Sequence, residues 1–228
     1  GAPVPEGADT IVMQEHCRVD GDRVFVEKTP EPGVNIRPAA EDFTDGEPVL
    51  AAGTHLRPQH IALAASAGAA SVHVQPRMRI ALMITGDELV PAGQALGDGQ
   101  IHESNGHMLA ALGAQLGAEI QAIHTVADDA DATRETLARA AANADLIVTS
   151  GGASVGDCDH VRSAAESIGE LAFFGIAIKP GKPLAFGRIE DAPLLVLPGN
   201  PVSLFVTFLL FGAPLLRRLQ GRTATMPE

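Results

Sequence analysis

The chain divides by its pattern of apolar and polar positions near residue 77. Beyond that point, short apolar runs alternate with longer stretches of helical spacing. Residues 78–85 are almost continuously apolar, as in a strand buried on both faces. The pattern then predicts a helix over 104–116, with Ser104 as N-cap and Gly117 closing it. A strand over 119–125, an Ala-rich helix over 131–143 and a strand over 146–149 follow. Next come a helix over 159–168, strands over 171–178, 183–188 and 193–197, and a last helix over 201–220. This alternation predicts an α/β sandwich with a mostly parallel sheet. Upstream the pattern changes. Residues 10–15 predict a strand, and 18–28 a hairpin around Asp20-Gly21-Asp22, which is strong turn chemistry. Residues 33–53 are rich in Gly, Pro and acids. Residues 1–57 are too few for a large core and read as part of a β-rich lobe. A connecting segment over 58–76 holds a helix with Pro58 in its first turn, then a short strand over 71–74. The α/β domain occupies 77–221, and 222–228 begin something further.

Composition narrows the function classes. The 228 residues carry a formal charge of −12 and include no Trp or Tyr. Basic grooves and stacking rings are both scarce, which argues against nucleic acid. Two cysteines, Cys17 and Cys158, make no disulfide framework, so the context reads cytoplasmic. No signal peptide opens the sequence. Residues 194–216 carry no charge and are long enough to span a bilayer. However, Pro198, Gly199, Pro201 and Pro214 divide them into a strand, a loop and a core helix, so no membrane span is expected.

The densest chemistry lies in residues 178–187, with residues 197–203 just after. Lys179 and Lys182 stand three positions apart across Pro180-Gly181, whose backbone restrictions hold them in place. A rigid ammonium pair facing a helix N-terminus suits a doubly charged oxyanion; the alternative is two exposed lysines in turns. Thr85-Gly86-Asp87-Glu88 follows the first buried strand, at the carboxyl end where open α/β sheets bind ligands. The run from Ser150 through Gly151, Gly152, Ser154 and Gly156 to Asp157 follows another buried strand. It offers backbone N–H groups to a phosphate, without being a P-loop or a GxGxxG motif. Asp128 and Asp159 end further elements. Carboxylates that converge repel, by about 4 kcal/mol for two charges about 4 Å apart at an effective dielectric near 20. A cation relieves this, and oxygen ligands alone suit Mg²⁺. The histidines show no zinc spacing; His102, His107 and His160 read as solvated or capping residues.

Taken together, several motifs resemble the MoeA family of molybdopterin molybdenumtransferases, which includes the E domain of gephyrin. They are Thr85-Gly86-Asp87-Glu88-Leu89, Gly99-Gln100-Ile101 with Ser104-Asn105, and residues 150–157. To these add Lys179-Pro180-Gly181-Lys182-Pro183 and residues 197–203. Gly7-Ala8-Asp9 with residues 12–15, and Asn35-Ile36-Arg37 with Glu41-Asp42, resemble the family's upstream lobes. The resemblance implies a MogA-like three-layer α/β sandwich. It also implies insertion of molybdate into adenylylated molybdopterin with release of AMP, dependent on Mg²⁺.

By the same resemblance Asp87, Glu88, Asp128, Asp159, Lys179 and Lys182 are catalytic positions, with Glu88, Asp128 and Asp159 as metal ligands. Asp42, Thr85, Ser150, Gly151, Gly152, Ser154, Gly156, Asp157, Pro180, Gly181, Asn200 and Ser203 contact substrate. A homodimer in which Asp42 reaches the site across subunits, and a MogA-like adenylylating partner, are implied too. Family members carry an additional N-terminal segment and a C-terminal β domain, so the sequence reads as trimmed at both ends. Gly175 stands where some members have Lys, removing a cation. The alternatives are a molybdopterin adenylyltransferase of the same fold and a non-catalytic scaffold. ATP consumption distinguishes the first, and loss of the carboxylates and lysines would mark the second.

Overall fold

A computed structural model describes every residue except Thr29, residues 153–159, Thr225 and residues 227–228. The chain forms two compact units: Gly1–Ala51 with Gln59–Gly68, and Ala52–Pro58 with Ala69–Glu228.

The first unit contains a 3-10 turn (Gln14–His16) and an antiparallel hairpin of β1 (Cys17–Asp20) and β2 (Arg23–Val26). Asp20 pairs with Arg23 across a two-residue turn in which Gly21 has φ +60°. That positive φ is why the Asp-Gly signal was legible. Helix α1 (Pro58–Ser66) follows, with most of its residues in this unit. Residues 10–13 are not a strand, because no partner strand lies beside them among the described residues. Instead Val34 O accepts from Ile11 N at 3.2 Å, and Asn35 Nδ2 donates to Ile11 O at 2.8 Å. Residues 71–74 likewise lack a ladder. Among the described residues of this unit only Ala64 is buried.

The second unit runs β3 (Arg79–Thr85), β4 (Leu89–Val90), β5 (Ile101–His102), α2 (Asn105–Gln115), β6 (Glu119–Val126), α3 (Ala130–Asn143), β7 (Leu146–Ser150) and α4 (His160–Ile168). It continues through β8 (Gly169–Phe174), β9 (Ala185–Ile189), β10 (Ala192–Leu197), α5 (Pro201–Thr207) and α6 (Ala213–Leu219). The main sheet has the order β6-β3-β7-β10-β9-β8. Its first four strands are parallel, and β10-β9 and β9-β8 are antiparallel. Alternate residues of the central strands serve two cores. Ile80, Leu82, Ile84, Leu146, Val148, Leu195 and Leu197 pack with Leu109 of α2 and with Leu204, Phe208 and Leu216. Ala81, Met83, Ile147, Leu194 and Val196 pack with Leu137 of α3 and Val161 of α4. The result is three layers, with α2, α5 and α6 on one face and α3 and α4 on the other.

The final helical segment runs over Pro201–Leu219, close to the 201–220 expected, but it is not α-helical throughout. Pro214 does not end it, because a π-helical turn (Phe208–Gly212) joins α5 to α6. There Ala213 N donates to Phe208 O, five residues back, which accommodates the missing N–H of Pro214. Residues Pro201–Leu219 are the one helix among those described that is long and apolar enough to cross a membrane. Leu204, Phe208, Ala213 and Leu216 along it belong to the core of this unit.

At the amino end of the sheet, Arg79 and Asp145 hold adjacent strands together. Arg79 Nη2 donates to Asp145 Oδ1 at 2.8 Å and Arg79 Nε to Oδ2 at 3.1 Å; the Arg79 backbone N–H also reaches Oδ2, at 2.8 Å. The hydrogen bonds from the Arg79 side chain, above all, hold the Asp145 carboxyl below its ordinary pKa.

Candidate functional site

The carboxyl ends of β3, β7 and β10 open on one cleft of about 410 Å³. Its position follows from the topology. The chain leaves β3 toward α2 on one face, and leaves β7 toward α4 on the other. Adjacent strands whose connections diverge leave a crevice between them, the place where open α/β sheets bind ligands.

The β3 end contributes Thr85, Gly86, Glu88 and Leu89. Beyond it, β4 and β5 pair in parallel, Leu89 with Ile101 and Val90 with His102. This small ladder brings residues 101–105 back along the cleft before α2 begins. The β7 end contributes Ser150, Gly151 and Gly152, and the β10 end Pro198, Gly199 and Pro201.

Close approach dictates the glycines here. Gly151 has φ +88°, and a Cβ on it would lie 2.7 Å from Thr85 Oγ1 and 2.8 Å from Thr85 O. Gly152 has φ +69°, and its Cβ would lie 2.1 Å from Val161 Cγ2. A Cβ on Gly199 would come 3.6 Å from Gly151 Cα, and Gly151 N donates to Leu197 O at 3.2 Å. Backbone therefore packs on backbone, leaving peptide groups rather than side chains at the rim.

The opposite wall is acidic. Glu88, Glu103 and Asp128 line the cleft, and Asp87 Oδ1 accepts from Asp128 N at 3.0 Å. The loops after β3 and β6 are thus tied together. Among the described residues none of these four carboxylates forms an ion pair. No group of three His, Cys, Asp or Glu there is close enough to hold a metal ion by itself. Glu88 and Asp128 offer carboxylate oxygens, the donor type Mg²⁺ takes one or two of while keeping waters and binding substrate phosphates.

The lysine turn is the connection between β8 and β9. Because β9 runs antiparallel to β10, this connection lies at the same end of the sheet as the cleft. Lys182 O accepts from Ile176 N and Leu184 N, each at 3.0 Å, and Gly175 N donates to Leu184 O at 2.7 Å. Gly181 has φ +115°, and a Cβ there would lie 2.3 Å from Thr207 Cγ2, so the turn is pressed against α5. Pro183 lines the cleft; Lys179, Pro180, Gly181 and Lys182 do not. Both lysine side chains are exposed and unpaired with described residues.

Asn200 and Ser203 flank the cleft without lining it. Asn200 Oδ1 caps α5, accepting from Val202 N and Ser203 N at 3.1 Å each. Two of the N–H groups offered to an oxyanion are therefore satisfied internally. Asp42 belongs to the first unit, where Arg37 Nη2 donates to its Oδ1 at 2.6 Å while Arg37 Nε reaches Glu41. These two carboxylates hold the Arg37 guanidinium above its ordinary pKa, Glu41 most strongly. Ser154, Gly156, Asp157 and Asp159 lie outside the described residues, as does Cys158.

Sequence reasoning did not name Glu103, and quoted Asn105 only within a motif, without assigning it to the site. Ser104 occupies the N-cap position of α2, but its hydroxyl makes no capping bond. The carboxylate one residue earlier does, with Gly106 N donating to Glu103 Oε1 at 2.7 Å. Glu103 and Asn105 are both buried, at 9% and 8% exposure. A charged residue and an amide flanking a predicted N-cap were the available signal.

Comparison with known proteins gives a consistent result. Residues 81–218, more than half of the chain, match a family described as a probable molybdopterin binding domain. Residues 1–68 match the MoeA N-terminal region, domains I and II. A molybdopterin molybdenumtransferase of Haemophilus influenzae is 40% identical, over 97% of this chain and 55% of its own length. One from a Nostoc species is 42% identical, over 97% and 52%. The crystal structure of a molybdopterin biosynthesis MoeA protein from Pyrococcus horikoshii aligns with a TM-score of 0.78 at 32% identity, covering 99% of this chain and 55% of that one. The chain spans about half the length of the curated relatives it matches. With a MoeA N-terminal region followed by a molybdopterin binding domain, it belongs to the MoeA family.

Proposed function

We propose that this chain is the substrate-holding part of a molybdopterin molybdenumtransferase, and that the whole protein inserts molybdate into adenylylated molybdopterin and releases AMP. The observation that carries the reading is the asymmetry of the cleft. A rim of bare peptide groups at Gly151, Gly152 and Gly199 faces unpaired carboxylates of Glu88 and Asp128, with the lysine turn bordering at Pro183.

In this reading the loop that starts at Ser150, Gly151 and Gly152 and continues through Ser154, Gly156 and Asp157 receives the phosphate of molybdopterin, beside Thr85. Lys179 and Lys182, on the turn set by Pro180 and Gly181, draw molybdate to an otherwise acidic protein, with Asn200 and Ser203 behind them. Asp87 positions Asp128 through its backbone N–H. Glu88 and Asp128, joined by Asp159, hold Mg²⁺ among substrate phosphates. Bound there, Mg²⁺ supplies polarisation of the phosphoanhydride that is cleaved. A homodimer bringing Asp42 to the site, a MogA-like partner supplying adenylylated substrate, and a cytoplasmic setting complete the proposal on the strength of the family resemblance.

The test is calorimetric titration of molybdate at low salt, with the pterin nucleotide bound. Lys182→Ala should weaken binding by roughly tenfold to a hundredfold, the equivalent of about 1.5–3 kcal/mol for one charge-assisted hydrogen bond. Lys28→Ala, in the first unit, should change nothing. Unchanged affinity in Lys182→Ala would make the turn architectural and move the anion site elsewhere. ATP consumption without AMP release would replace the reading with adenylylation.

A further inference from the structure

We infer that Asn105 is a positioning residue that sets the direction of the Ser150 hydroxyl proton, making Ser150 a hydrogen-bond donor to the ligand's oxyanion. The inference rests on the reading that this cleft holds a phosphate. Asn105 is the first residue of α2 and is 8% exposed. Its Nδ2 donates to Gly199 O at 2.7 Å and to Ser150 Oγ at 2.9 Å. One buried amide thus joins the start of α2 to the ends of β7 and β10, the elements that frame the cleft.

The orientation of the amide is decided by Gly199. A peptide carbonyl only accepts, so the atom facing it at 2.7 Å must be the nitrogen; a flipped amide would set oxygen against oxygen. The same nitrogen then donates to Ser150, which occupies an acceptor position of that hydroxyl. The proton of Ser150 must point elsewhere, and it meets no acceptor among the described residues. Ser150 lines the cleft beside Gly151 and Gly152, so its free donor belongs to the same rim as the glycine peptides. Asn105 Oδ1 is itself buried without a partner among the described residues, so the bonds this side chain makes there run through its nitrogen. The Asn105 N–H occupies one lone pair of the Ser150 hydroxyl, so that hydroxyl's proton is directed away from Asn105 and is free to be donated to an anion. An oxyanion in the cleft can accept that proton.

The test is a double-variant cycle read by anaerobic binding of molybdopterin, followed by pterin fluorescence. Ser150→Ala should weaken binding by about tenfold or more, as expected for loss of a bond to a charged group. Asn105→Ala should weaken it severalfold when Ser150 is present, and by less than about twofold in the Ser150→Ala background. Asn105→Asp, of equal size, serves the same cycle if the alanine variant does not fold. Its carboxylate would turn the Ser150 proton inward, so its loss should exceed that of Asn105→Ala. Additive losses in the double variant, or Asn105 variants that only lower the melting temperature, would overturn the inference and leave the phosphate reading intact. Absence of molybdopterin binding by the unaltered protein would overturn that reading itself, and the inference with it.

Discussion

The two ends of the main sheet handle charge in opposite ways. At the amino end Arg79 and Asp145 form a two-pronged ion pair, and the Arg79 backbone adds a third bond, so the carboxylate is held from three directions. At the carboxyl end Glu88, Glu103 and Asp128 face one cleft, and no lysine or arginine among the described residues pairs with them. Both ends join neighbouring strands of the same sheet. Only one leaves its charges unanswered. Uncompensated carboxylates in a cleft cost stability and persist where a ligand completes them, so the contrast separates the end that holds the fold from the end proposed to bind the ligand. Glu41 and Asp42 of the first unit fall on the paired side of this division, since Arg37 takes both.

The contrast can be broken most decisively at the acidic wall. Glu88→Gln and Asp128→Asn should each reduce AMP release by about a hundredfold or more, since even groups that only orient metal ligands carry roughly 10–100-fold effects. Their melting temperatures should hold or rise. A matching fall in stability and turnover would show these carboxylates to be structural.

Next in size is Gly151→Ala. It adds a methyl 2.7 Å from Thr85 Oγ1 at a backbone φ of +88°, and strain of this kind costs about 1–3 kcal/mol. Thermal unfolding should show a clear drop, with ligand affinity falling alongside because Thr85 and Gly151 share the rim. An unchanged melting curve would mean that the β3 and β7 ends can separate freely.

A smaller effect is expected at the amino end. The Asp145 carboxyl is depressed in the folded protein, so its contribution is present above the unfolded carboxylate value of about 3.9 and is lost as pH falls through the folded value below that. Asp145→Asn should therefore lower the melting temperature slightly at neutral pH and flatten its decline below about pH 4, with ligand binding untouched. The comparison fails if AMP release responds to this variant as strongly as to Asp128→Asn.

The smallest effect should come from Arg37→Ala. Its two partners are exposed and the pair is open to solvent screening, so differential scanning calorimetry should register no shift. A substantial one would give the first unit a charge cluster as firmly structural as Arg79 with Asp145.

Much of this was legible before any coordinates. The near-continuous apolar run over 78–85 marked the strand that became central, because burial on both faces leaves no polar position to alternate. Asp20-Gly21 marked a hairpin because positive φ is cheap for glycine. The short segments over 10–15 and 71–74 misled, since a strand needs a partner and local pattern does not say whether one exists. The last helix expected over 201–220 does run through Pro214, but only because a π turn absorbs its missing N–H, which the local pattern did not show.

By itself the sequence determined the alternation of strands and helices, and the placing of Thr85, Ser150 and Gly199 at or just past the carboxyl ends of strands. It also determined the resemblance that names the family. Local propensity and backbone restriction act over a few residues, and those features need nothing more. Only the tertiary structure decided that three of these ends form one cleft, that Asp87 grips the backbone of Asp128, and that Asn105 binds both Ser150 and Gly199. Partners 41, 45 and 94 residues apart meet through the order in which strands enter the sheet. That order is set by how two cores are filled from opposite faces, and no local pattern encodes it.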